Sequence, residues 1–309
     1  MATFDIMMPY YGDVGLMQDA VRSVLAQTDP DWRLTVVDDG REPGVPEWFA
    51  QLGDERVRYL RNPQNLGITR NFQKCVELLE LERAVIMGCD DLLMPGYLAT
   101  IRRVLKEHPG VGMVQPGVEV IDSQGAPVGG LVDGVKNRLY APGVKGSRRM
   151  GGEALAASLL RGNWLYFPSI CWDSAAVKAV NFRDGLSVIQ DLALVIDLLQ
   201  RGQEMVVDTE PAFRYRRHAV SESSLQAFSG TRFTEAERYF AQVADRMDAQ
   251  GWPRAARAAR VHSASRLHAL TMLPGAVKRA QWDGVRTLTG HVLRPTGASG
   301  ANSAAADGS

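Results

Sequence analysis

The first hundred residues alternate between short apolar runs and segments with helical spacing. Phe4–Met8 (FDIMM), Arg33–Val37 (RLTVV), Arg56–Leu60 (RVRYL) and Ala84–Met87 (AVIM) are each stopped by polar or turn residues, which predicts four buried strands. Between the first two, LMQDAVRSVLAQ sets Val21, Val24 and Leu25 on one helical face, and ITRNFQKCVELLEL reads as a helix before the fourth strand. Strand and helix repeated in this way predict an α/β fold, with a mostly parallel central sheet flanked by helices. In such sheets a ligand sits beyond the carboxyl ends of the strands.

The pattern loosens after Pro109. VGMVQPGVEVI predicts one strand or two, and the Gly-rich, basic stretch from Gly125 to Gly152 reads as a mobile loop. GGEALAASLLRGN and DLALVIDLLQRG read as helices. In the second, Leu192, Val195, Ile196 and Leu199 recur at helical spacing, so Asp191 stands at its start. From Thr231 to Arg294 the chain reads as wholly helical, and the small polar residues that follow predict disorder. The predicted organisation is an α/β domain over 1–224, a C-terminal helical extension over 225–295 and a disordered tail over 296–309.

Charge and cysteine content narrow the picture. The 35 basic and 35 acidic residues balance, which removes any global argument for nucleic acid. After Phe213, however, 14 basic residues face seven acidic ones, so the helical extension is basic. It suits either a solvated helix face or a peripheral contact with an anionic membrane surface. Cys75, Cys89 and Cys171 form no CxxC pair, which argues against a disulfide framework or a zinc site. The N-terminus lacks the pattern of a secretory signal and no run of about 18 apolar residues occurs, so the expected location is cytoplasmic, including the inner face of the membrane.

The predicted strand ends carry the chemistry. The first ends in PYYGD, the second in VVDDG and the fourth in GCDD. A lone acidic pair is usually a turn or cap device. Two pairs at one sheet edge, Asp38-Asp39 and Asp90-Asp91, point instead to a ligand. No GxGxxG or P-loop follows the first strand, which disfavours a dinucleotide. Carboxylates hold a hard cation that in turn holds phosphate, and they accept hydrogen bonds from ribose and base N–H groups. The arrangement suits a nucleoside diphosphate bridged through Mg²⁺ or Mn²⁺.

The ordered set MMPYYGDVGLMQDAVRSVLAQTDPDWRLTVVDDG, NPQNLGITRN, VIMGCDDLLMPGYL, QDLALVIDLLQRG and YRRHAVSESS resembles the family 2 glycosyltransferases of GT-A fold, over residues 6–224. The resemblance implies an inverting enzyme that transfers a sugar from a nucleoside-diphosphate sugar, UDP- or dTDP-linked, to a hydroxyl of a saccharide, lipid-linked glycan or other acceptor. It implies that Pro9, Tyr11 and Asp39, with Asp38 beside them, meet the base and ribose, and that Arg70 lies near base or phosphates. Asp90 would meet ribose or donor sugar, Asp91 would bind Mn²⁺ or Mg²⁺, and His218 would approach the metal or diphosphate. Asp191 would be the general base that takes the acceptor's proton; its alternative is a helix cap. Asn163, Trp164 and Gln190 are acceptor-side candidates, with Trp164 equally readable as a core aromatic.

Three positions depart from the family pattern. Gly12 stands where an Asn is common, Gly88-Cys89 where another acid is common, and Gln190 where a Glu is common. They keep open a nucleotide-sugar-binding or membrane-associated scaffold with a decayed site. A nucleotidyltransferase is disfavoured, because PYYGDVG offers no Gly-rich basic loop. Oligomeric state is left open, a homo-oligomer included.

Overall fold

The computed structural model describes residues 3–128, 143–217, 231–278 and 282–293. They divide into two compact units: one built from 3–128, 143–152 and 165–217, the other from 153–164 and the helices after 231.

The first unit is a mixed nine-stranded sheet with helices. Its strands are β1 (Phe4–Tyr10), β2 (Trp32–Asp38), β3 (Val57–Arg61), β4 (Arg83–Ile86), β5 (Leu92–Leu93), β6 (Met113–Ile121), β7 (Ser147–Gly151), β8 (Cys171–Asp173) and β9 (Glu204–Arg216). The order is β3-β2-β1-β4-β8-β6-β9-β5, with β7 also on β9. The four strands β1–β4 read from the sequence pair in parallel, as do β6 and β9. β8 runs antiparallel between β4 and β6, so the sheet is mixed beyond β4. Ser147–Gly151, expected within a loop, pairs antiparallel with the first half of β9 instead. Residues 129–142 of that expected loop lie outside the described residues.

Helix α1 (Val14–Leu25) begins where Asp13 accepts the Leu16 amide at 2.9 Å, and it buries Met17, Ala20, Val21 and Val24 at the spacing of one helical face. Helices α2 (Val45–Leu52), α3 (Ile68–Glu77) and α4 (Tyr97–Glu107) follow the next strand ends. After α5 (Gly152–Arg161) come α6 (Ser174–Val180) and α7 (Gln190–Gln200), the latter almost wholly buried after its first turn. β9 is the longest strand. Its pairing with β6 shifts register around Gly117 and Pro211, after which its second half meets β5 at Leu93↔Phe213 and Leu92↔Arg214. That offset brings Tyr215 and Arg216 to the end of the β4–β5 segment.

The second unit contains α5 beyond Gly152 and helices α8 (Thr231–Ala249), α9 (Pro253–Val261), α10 (Ser263–Lys278) and α11 (Trp282–Leu293). None of the helices among the described residues is long and apolar enough to cross a membrane. Two buried histidines join its helices. The His262 ring stacks on Phe240 and lies 5.0 Å from the His291 ring, while His291 bonds Glu237 at 3.0 Å and Ser265 at 2.9 Å. Burial, then the neighbouring His291, depresses the His262 pKa to about 4. Above the ordinary imidazole pKa of about 6.5 both folded and unfolded chains carry His262 neutral. Below it the unfolded chain takes a proton that the folded one refuses. Stability of this unit should therefore fall from about pH 6.5 to about pH 4, by on the order of 3 kcal/mol from this residue. Urea unfolding followed over that range should steepen in wild type and flatten in His262→Gln; equal slopes would refute it.

Candidate active site

The ends of β1, β2 and β4 converge. The β1–β2 ladder runs one residue past β2, with the Asp39 amide donating to the Tyr10 carbonyl at 2.8 Å. On the other side the Met87 amide donates to Met7, and the Cys89 thiol lies 3.8 Å from the Tyr11 carbonyl oxygen. Asp39 and Asp90-Asp91 thus flank the PYYG segment. Tyr11 is 65% exposed there, with its ring open to solvent, while Pro9 is half-buried.

The two aspartates of VVDDG have different surroundings. Asp38 is fully buried and accepts hydrogen bonds from Tyr59, from Arg61 at 2.7 Å and from the Gly40 amide at 2.8 Å. A cross-strand ion pair, Asp38 on β2 and Arg61 directly opposite on β3, accounts for it. A ligand would have to displace these partners, so Asp38 holds the strand end. Asp39 instead collects the NPQNLG loop: it accepts Asn62 Nδ2 and the amides of Leu66 and Gly67, at 2.8 to 3.0 Å. Asn62 also bonds Asn71, and Asn71 donates to the Val37 carbonyl. The NxGxxxN spacing is the staple that fastens the start of α3 to the end of β2.

Asp91 is 2% exposed, and its Oδ1 accepts the Arg216 amide at 2.9 Å. Burial, then the adjacent Asp90 charge, raises its pKa well above the usual carboxylate range, with Arg216 opposing. The buried Arg216 guanidinium donates to the carbonyls of Asp90, Asp122 and Ser123, tying the acidic turn to the end of β6. The Cys89 thiol is pushed up to about 12 by burial and by Asp90, which removes it as a nucleophile. Gly88 explains the shape of this turn. A Cβ there would lie 2.5 Å from Asp91 Oδ2 and 2.8 Å from Asp90 Oδ1, so both carboxylates fold over its Cα.

Asp191 is the second residue of α7, half-buried, and the helix cap is Ile189 rather than Asp191. Its position in the first turn favours the ionised form. Tyr215 links it to the acidic turn: the phenol is raised to about 12 by burial, then by Asp91, Asp90 and Asp191, with Arg217 opposing. Three carboxylates from two distant chain segments therefore act on one hydroxyl. α3 connects to the segment before α7 as well, since Thr69 donates to Leu186 and Gln73 to Phe182 and Asp184. Arg70, on the exposed face of α3, pairs with Asp184 at 3.4 Å.

The acceptor-side expectations divide. Trp164 is 3% exposed and donates to Ser158 Oγ at 3.1 Å, so it offers no stacking face: it packs within the second unit, as does the half-buried Asn163 by chain position. Gln190 is 7% exposed, its Oε1 unpartnered among the described residues. His218 lies outside the described residues. Among those described, no three His, Cys, Asp or Glu side chains form a metal cage. Asp90 and Asp91 remain as two hard oxygen donors whose mutual repulsion a cation would relieve, a donor set that fits Mg²⁺ or Mn²⁺ completed by phosphate oxygens.

Residues 5–129 match the family model for Glycosyl transferase family 2. The N-terminal part of this chain is similar to that family. The family 2 segment carries the PYYG, VVDDG, NPQNLG and GCDD elements. Among curated proteins, the chain is 32% identical over 108 residues to the uncharacterized protein MT1568 of Mycobacterium tuberculosis (strain CDC 1551 / Oshkosh), which is 35% of this chain and 34% of that protein. It is 22% identical over 204 residues to the uncharacterized protein y4gI of Sinorhizobium fredii (strain NBRC 101917 / NGR234), 64% of this chain and 20% of that one. The chain thus spans at most about a third of the length of these relatives. Among solved structures, S. aureus TarS 1-349 in complex with UDP-GlcNAc superposes with a TM-score of 0.57 at 13% identity, covering 93% of this chain and 90% of that one. At that identity the likeness is one of fold, and it makes this a GT-A sheet. One family departure now has a local cause: Gly12 has φ +114, a backbone that strains an L side chain.

Proposed function

We propose that this chain transfers a glycosyl group from a nucleoside-diphosphate sugar, UDP- or dTDP-linked, to an acceptor hydroxyl, with inversion. The observation that carries this reading is the convergence of the β1, β2 and β4 ends, where Asp39 and Asp90-Asp91 flank the PYYG segment within the stretch that matches family 2. The UDP-GlcNAc and UDP complexes of TarS support the donor class. Tyr11 provides an exposed ring for the base, beside the loop that Asp39 holds, and Arg70 provides a cation for phosphate. Asp90 and Asp91 would hold Mn²⁺ or Mg²⁺, which when bound neutralises charge on the leaving diphosphate. Asp191 accepts the proton of the attacking hydroxyl.

A melting-temperature panel of UDP-, dTDP- and GDP-sugars, each with and without Mn²⁺, tests the reading. One donor should raise the melting point as its concentration exceeds its dissociation constant, and more so with the cation. A panel with no shift at millimolar donor would overturn it.

A further inference from the structure

Helix α10 is apolar on two faces and covered on one. Ala269, Met272, Leu273 and Ala276 pack with Val285, Leu288 and Val292 of α11. Leu267, Leu270 and Val277 are each about half exposed, and Pro274 between them is exposed too. Their spacing of i, i+3, i+7 and i+10 sets all four along one stripe, distinct from the one that meets α11. Val261, the last residue of α9, is exposed as well, and Trp282, which opens α11, is the most exposed of the six tryptophans. Exposed apolar residues are ordinarily scattered singly; a row of them rimmed by charge marks an interaction surface.

The charge around the stripe identifies what it meets. From Trp252 to Arg294 the sequence holds eight Lys/Arg and one acid, Asp283, a net of +7. α10 itself carries no acid, and its Arg266, four residues before Leu270, borders the stripe on the same side of the helix. Arg254 and Arg257 on α9 and Arg286 on α11 are exposed and form no ion pair among the described residues. A second copy of this face would set +7 against +7, which opposes a symmetric dimer. Residues 295–309 cannot cover the stripe, since they hold no Leu, Ile, Val, Met or aromatic residue. An anionic lipid surface satisfies both halves of the pattern. Apolar side chains enter the boundary between headgroups and acyl chains, while guanidinium groups stay at the lipid phosphates. No helix among the described residues can span a bilayer, so the contact is peripheral. We propose that the Leu267–Val277 stripe of α10, with the arginines of α9, α10 and α11, is a binding face for anionic lipid. This goes beyond the transfer reaction and stands independently of it.

The test is flotation of the full chain with phosphatidylcholine vesicles carrying roughly one third phosphatidylglycerol, against vesicles of phosphatidylcholine alone. Wild type should partition about tenfold or more in favour of the anionic vesicles, and salt at about 0.5 M should remove most of that preference. Leu267→Asn with Leu270→Asn should lower anionic partitioning about tenfold. Both side chains are exposed, so the melting temperature of this variant should match wild type, which separates a lost surface from a lost fold. Arg257→Gln with Arg286→Gln should lower anionic partitioning about tenfold and leave the neutral vesicles unaffected. Equal recovery with the two vesicles, or anionic binding that survives Leu267→Asn with Leu270→Asn, would overturn the proposal. So would a dimer of the vesicle-free protein in sedimentation that the same variant abolishes, which would give the face to a second copy. A lower melting point in that variant, with no vesicle binding by wild type, would also overturn it and give the stripe to the chain's own fold. The donor panel above is run without vesicles, so the two readings fail separately.

Discussion

Asp191→Asn should lower turnover by roughly 10²–10⁴-fold, the usual contribution of a positioned general base, while donor binding and melting temperature stay at wild-type values. The substitution is nearly isosteric. Asp191 lies in the first turn of α7 and is not the residue that caps it, so loss of a cap cannot account for lost activity. The helix dipole favours its ionised form, which is the state a base requires. Stopped assays of diphosphate release, with and without acceptor, separate the steps: acceptor-dependent release should collapse, and calorimetric donor affinity should not. Full turnover in the Asn variant would assign the proton to another group. Removing the Asp191 charge should also bring down the Tyr215 pKa from about 12, a shift readable by NMR titration that depends on proximity and not on catalysis.

The parallel half of the sheet was legible in the sequence because strands buried on both faces are written as unbroken apolar runs. FDIMM and AVIM admit little else, and Asp13 marks the start of α1 by its cap. β7 and β9 were not legible for the same physical reason reversed. They pair at the mixed end of the sheet, where EMVVDTEPAFRYR alternates, carries a proline and changes partners. The acidic pairs were visible as pairs, but their division into roles was only partly so. Successive strand residues face opposite sides, which already separates Asp38 from Asp39. It does not say that Arg61 waits opposite Asp38 and that the NPQNLG loop closes on Asp39. YRRHAVSESS was legible as a motif, but not the hydrogen bond from the Arg216 amide to Asp91, more than a hundred residues away. Local spacing carries no trace of it. For Trp164 the core reading is the one that fits, and Ser158, six residues earlier, offers its indole a partner.

Gly88→Ala should cost the chain its metal-supported donor binding although it adds one methyl group. The Cβ would stand 2.5 Å from Asp91 Oδ2 and 2.8 Å from Asp90 Oδ1, closer than non-bonded atoms approach. Something must move, and the choice is narrow. The closer clash is with Asp91, which is packed at 2% exposure and held by the Arg216 amide, so its carboxylate must turn away from that amide. The pair then parts, and its two hard oxygens no longer face one cation. Disturbing the setting of metal-holding groups typically lowers metal affinity 10–100-fold, and a loss of about that size is expected in Mn²⁺-dependent donor affinity. The strain should lower stability by about 1–3 kcal/mol, leaving the variant folded for the measurement. Calorimetry of donor with and without Mn²⁺ reads the first effect and thermal melting the second; a variant with wild-type Mn²⁺ dependence would contradict the argument. The same geometry accounts for the short acidic motif. A third acid at position 88 would place its own Cβ where the Asp90 and Asp91 carboxylates already meet. The glycine that makes GCDD look incomplete is therefore what allows two aspartates to share one face, and Gly88→Ala separates this reading from a decayed site, in which the substitution would change nothing.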